Sequence, residues 1–69
     1  MLILTQDKQT VLNTDNIVTI RFDGDRILEA HSDGMEVVLG QYTSERCLEI
    51  LRIIHAFKQF KNSYVMPEV

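Results

Sequence analysis

Sixty-nine residues carrying 7 Lys and Arg against 10 Asp and Glu give a formal charge of -3, so there is no electrostatic reason to expect a nucleic-acid backbone as partner. The single cysteine, Cys47, excludes an internal disulfide, and no Cys/His cluster has structural-metal spacing. A chain this short buries only about 60% of the surface its unfolded form exposes, so its core is thin and self-association is the expected source of further burial.

Strand signals come first. Leu2-Ile3-Leu4-Thr5 and Thr10-Val11-Leu12 flank the polar Gln6-Asp7-Lys8-Gln9 and predict a small hairpin. The apolar start Met1 to Leu4 turns polar at Thr5, unlike a secretory leader, and no apolar run reaches membrane-spanning length, so the expected location is the cytoplasm. After Asn13-Thr14-Asp15-Asn16, the β-branched run Ile17 to Phe22 carries Val18, Ile20 and Phe22 on one face by the two-residue period. Asp23-Gly24-Asp25 turns the chain into Arg26 to Ser32, and Asp33-Gly34 turns it again into Met35 to Leu39.

A two-residue Asp33-Gly34 loop sets Ser32 opposite Met35, Ala30 opposite Val37 and Leu28 opposite Leu39. A three-residue Asp23-Gly24-Asp25 loop then brings Ile20 opposite Leu28 and Val18 opposite Ala30, which makes one apolar face. The other face holds Thr19, Arg21, Glu29, His31 and Glu36, and with them Ile17, Ile27 and Val38, three apolar residues that fit it poorly.

A helix over about residues 44–61 follows, capped by Thr43 or Ser44, with Glu45 where the helix dipole favours an anion. Cys47, Ile50, Leu51, Ile53, Ile54, Phe57 and Phe60 spread over about half its circumference, wider than a minimal core stripe. Leu48 and Ala56 fall outside that arc on opposite sides. The helix is therefore expected to face both its own sheet and a second copy of the chain. In the tail, residues 62–69, Tyr64-Val65-Met66 has strand propensity and Pro67 suits an edge; a strand on its own sheet, a strand on a neighbour's and an unstructured end all stay open.

The segment Leu39-Gly40-x-Tyr42-Thr43-x-Glu45-Arg46 with its apolar helix, together with Thr5-Gln6-Asp7-Lys8 and Asp15-Asn16-Ile17, resembles small uncharacterised proteins of Firmicutes and their phages or integrated elements. The resemblance implies a strand-rich sheet plus one helix and a mobile-element context. It carries over no functional residue.

His31, placed opposite Glu36, reads as half of a cross-strand surface pair, and His55 as a helix residue on the outer side near Leu48 and Arg52. Cys47 sits in the first helical turn beside Arg46, where a thiol pKa falls, but its angle puts it on the core-facing arc as a small hydrophobe. Asp7, Asp15, Asp23, Asp25 and Asp33 are turn residues. Arg46, Arg52, Lys58 and Lys61 with Tyr64 form the one basic set worth weighing for nucleic acid, and Glu45, Glu49 and the position of Arg52 break it up.

The expectation is an α+β domain over residues 1–69: an antiparallel sheet of four to five short strands with one C-terminal α-helix packed on one face. It is expected to be a non-enzymatic interaction or accessory module without catalytic residues, cofactor or metal, acting as a homo-oligomer, a dimer first. The candidate contacts are Leu48, Ile53, Phe57, Phe60, Tyr64 and Met66. The alternative is a nucleic-acid-binding regulator using the helix cations.

Overall fold

The computed structural model describes residues 1–57 and 63–69. The first hairpin forms as expected: β1 (Leu2–Leu4) pairs antiparallel with β2 (Val11–Asn13). Its loop closes on Asp7, whose carboxylate accepts the Thr5 hydroxyl at 2.6 Å and the Gln9 N–H at 3.0 Å. A short 3-10 turn, Thr14–Asn16, then leads into β3 (Ile17–Asp23), β4 (Arg26–His31), β5 (Glu36–Gln41), α1 (Ser44–Phe57) and β6 (Ser63–Val65).

The class is α+β with one helix, but the strands make two three-stranded sheets, ordered β2-β1-β6 and β3-β4-β5, where one sheet of four to five strands was expected. The first hairpin stays apart from β3, across the Thr14–Asn16 turn, and the tail adds the third strand to it. β6 runs parallel to β1, and the Met66 N–H continues the ladder to the Leu4 carbonyl at 3.0 Å. A parallel neighbour needs a long crossover, here the whole of β2 to α1, and no local pattern announces it.

Each expected hairpin register holds at one end, at Ile17–His31 and at Arg26–Gln41 and Ile27–Gly40, and is one residue off across the bulge from there. The β3–β4 loop is Gly24-Asp25 alone, with Asp23 opposite Arg26; positive φ falls on Gly24 (65°) at its first position, the pattern of a type II′ turn. The β4–β5 loop is longer. The Gly34 N–H donates to the His31 carbonyl, the His31 N–H donates to Met35, and Gly34 takes φ 90°, so Ser32, Asp33 and Gly34 all lie in the loop. The two shifts run in opposite senses, one loop shorter and the other longer than expected, and each turns the middle of β4 over relative to a neighbour: Ile20 faces Glu29, Phe22 faces Ile27, and Val37 faces Glu29. Ile27 thereby leaves the polar face and becomes core. Leu28 moves to the outer face, between Arg21 and Val38, where the Arg21–Glu36 ion pair (2.7 Å) spans the strand and helps keep it buried.

α1 starts where its cap predicts. Thr43 Oγ1 accepts the Arg46 N–H at 3.2 Å, and the Ser44 hydroxyl donates to the Gly24 carbonyl at 2.9 Å, tying the helix start to the β3–β4 turn. The helix packs on the β3-β4-β5 sheet. Of the stretch expected to continue it, residues 58–61, with Lys58, Phe60 and Lys61, lie outside the described residues, as does residue 62 of the tail. Among the described residues no helix is long and apolar enough to cross a membrane.

The core gathers Ile3 of β1 and Met66 just past β6, Ile27 and Leu39 from the other sheet, and Tyr42, Cys47, Ile50 and Ile54 from α1 and its approach, with Leu12, Ile20 and Tyr64 packed against it. Leu39 joins it through a bulge that separates the Leu28–Val38 pair from the Ile27–Gly40 pair. One side chain stitches the sheets together. The Gln6 amide accepts the Gln41 N–H (2.7 Å) and donates to the carbonyls of Gln41 (3.1 Å) and Glu68 (2.6 Å), so it imitates a neighbouring peptide along the edge of β5.

Candidate functional site

Turning β4 over has one chemical consequence. Glu29, expected at the surface, is fully enclosed (0% exposed), with the apolar Ile20 and Val37 beside it in register. Its Oε1 lies 2.5 Å from Nε2 of His31, two residues along the same strand, and its Oε2 has no partner among the described residues. The expected His31–Glu36 surface pair is therefore replaced by two others: Glu36 takes Arg21, and His31, about a quarter exposed at 24%, takes Glu29. Burying a carboxyl oxygen unpaired costs about 1–3 kcal/mol. The signal for this pair was already in the sequence, because Ile27 on the supposed polar face marked the register that puts Glu29 inside.

Cys47 is core, as its helical angle indicated: it is enclosed, its Sγ lies 3.8 Å from the Tyr42 carbonyl, and burial pushes its thiol pKa up. A thiol held this way is a poor nucleophile. Its reaction with an aromatic disulfide reagent is expected to be at least about 100-fold slower in native protein than in urea; equal rates would mean the helix start opens freely.

Tyr42, also buried, donates its hydroxyl to the Pro67 carbonyl at 2.6 Å. Desolvation, and next the neighbouring Tyr64, hold its phenol neutral up to a pKa of about 12, while Arg46 pulls weakly the other way. The unfolded chain loses that proton near 10.0, so the native state binds more protons above it and stability falls as pH rises from there towards 12. The expected loss is about 2 kcal/mol, read from urea unfolding on either side of that window, and Tyr42→Phe should shrink it. An undiminished decline in that variant would contradict the assignment.

The expected contact residues separate. Leu48 is 41% exposed, Ile53 and Tyr64 are half-buried, and Met66 is enclosed in the core, which corrects its assignment to a surface. Phe57 in its side chain and Phe60 altogether lie outside the described residues. Of the helix cations, Arg46 is already engaged by Glu49 (3.3 Å) and the Val69 carbonyl (3.3 Å). No group of three or more His, Cys, Asp or Glu side chains among the described residues is placed to hold a metal ion.

Two further surface features escaped the sequence reading. One is an open cavity of about 290 Å³ between the start of β3 (Ile17, Val18, Ile20) and the second half of α1 (Leu51, Ile54, His55). The other is the outer face of the β2-β1-β6 sheet, where Leu2, Val11 and Val65 are exposed. Comparison with protein-family models, curated proteins and solved structures finds no match to this chain.

Proposed function

We propose that this chain is a non-enzymatic interaction module whose first partner is a second copy of itself. The observation that carries the reading is the apolar surface left once the core is full: Val18 (65% exposed) and Phe22 (37%) along β3, with Leu48 on the helix. Single exposed apolar residues are ordinary, but several along one strand and one helix flank mark an interaction surface. The thin core of a chain this short supports the same reading, since association supplies burial that the monomer lacks. The enclosed Cys47 adds no reactive group against it. The resemblance to small phage and integrated-element proteins suits an accessory role of this kind.

Mass action gives the test. If association stabilises the fold, the melting midpoint rises with protein concentration, by roughly 5 °C per tenfold for a dimer of this size. A midpoint that stays constant over a hundredfold range would remove the reading's support.

A further inference from the structure

β3 is the longest strand, with seven residues, and it pairs on one side only, with β4. The other long edge, β5, is occupied by the Gln6 amide. Because Asp23 and Arg26 flank a two-residue turn, the antiparallel alternation directs the backbone groups of Arg21 and Asp23 to β4 and those of Ile20 and Phe22 outward. Val18 sits at the bulge between Ile17 and Thr19 and has no register partner. The Ile17 N–H at the start of the strand donates to the Thr14 carbonyl; from Val18 to Asp23, among the described residues, no backbone hydrogen bond meets this outward edge. A long unpaired edge, with neither proline nor cover, is a template for another strand.

The same strand carries a knob and a hole. The hole is the 290 Å³ cavity at Ile17, Val18 and Ile20, at the lower end of ligand-pocket volumes and sized for a side chain. The knob is Phe22, a partly exposed aromatic ring four residues on from Val18. We infer that two copies join through their β3 edges, antiparallel about Ile20, so that Phe22 of each chain seats at the other's cavity. This deepens the self-association proposed above and rests on it.

The outward backbone groups allow pairing about Ile20 or about Phe22, and seating Phe22 at the cavity beside Val18 selects Ile20. Pairing about Ile20 sets Ile20 opposite its own copy in the hydrogen-bonded position that its outward N–H and C=O require, and sets Phe22 opposite the partner's Val18. Arg21 then faces the neutral Thr19 of the partner subunit, and no like charges oppose one another; pairing about Arg21 would bring two cations together. The helices fit this arrangement. Leu51 and His55 line the cavity, and Leu48, one turn before Leu51 on the same flank by helical spacing, extends that apolar strip towards the partner. The joined sheet has six strands, β5-β4-β3 continued by their copies, and both free β3 edges disappear.

Two measurements test it. Thr19→Cys and Arg21→Cys chains, mixed and mildly oxidised, should form the covalent 19–21 heterodimer at least about tenfold faster than either chain links to itself, because only that pair lies directly opposite. Cys47 stays enclosed and does not compete. Phe22→Ala should raise the dimer dissociation constant at least about tenfold, while Val11→Lys, on the outer face of the other sheet, should leave it unchanged. If the native chain is a dimer but the mixed cysteines show no preference, or Val11→Lys dissociates it and Phe22→Ala does not, the β3 assignment is wrong and self-association stands. If the native chain is a monomer at every concentration, both fall. The cysteine experiment keeps Phe22 in place, so it decides the matter even if Phe22→Ala fails to fold.

Discussion

Gly40→Ala is expected to cost about 3 kcal/mol and to lower the melting midpoint by roughly 15 °C. The reason is a close approach. A Cβ at Gly40 would stand 2.6 Å from Cε2, 2.7 Å from Oη and 2.8 Å from Cζ of Tyr42, well inside van der Waals contact. The ring has little freedom to retreat, because Tyr42 is buried and its hydroxyl is fixed on the Pro67 carbonyl. Gly40 lies just past the β5 bulge, opposite Ile27, so the displaced atoms belong to the core that joins the two sheets. Moving the ring breaks the Pro67 bond, worth about 1 kcal/mol, in addition to the packing strain. The coupling is measurable. Tyr42→Phe alone should cost about 1 kcal/mol, and markedly less in the Gly40→Ala background, where the bond is already lost. Additive costs in the double variant would show that alanine is accommodated some other way.

Glu29→Leu is expected to do the opposite and stabilise the protein by about 2 kcal/mol, or roughly 10 °C. Glu29 is wholly enclosed, has apolar register neighbours, and uses one of its two carboxyl oxygens. An apolar side chain of similar volume removes the unpaired oxygen and its desolvation cost. His31, partly exposed, then turns its imidazole to water. Glu29→Ala is the necessary contrast, because it removes the same carboxyl group but leaves a cavity, and is expected to be destabilising by about 2 kcal/mol. Thermal unfolding followed by circular dichroism separates the two. A Glu29→Leu protein less stable than the parent by more than 1 kcal/mol would mean the Glu29–His31 pair holds the fold together. A stabilised one marks the pair as retained at a cost to stability.

The elements of this fold are more legible in the sequence than their pairing. The first hairpin, the helix start at Thr43 and Ser44, and the two glycine turns follow from local patterns. Register does not, because Asp33-Gly34 suits both a two-residue loop and the end of a three-residue loop with glycine in the left-handed region. One residue of slip in each hairpin was enough to exchange the faces of β4. Ile27, misplaced on the polar face, was the residue that could have corrected it. The second sheet was out of reach for a different reason: β6 joins β1 across nearly the whole chain, and Gln6 reaches Gln41 and Glu68 through side-chain bonds that no periodicity encodes. The candidate surface was half visible. Leu48 was visible as an apolar residue lying outside the core-facing arc of the helix, whereas the cavity and the free edge of β3 depend on how the elements meet.

Sedimentation equilibrium over a hundredfold concentration range puts the proposed pairing to its most direct test. A chain of 8.0 kDa that pairs through β3 should approach twice that mass at tens of micromolar and return towards the single-chain value on dilution. A constant 8.0 kDa at every concentration would contradict it.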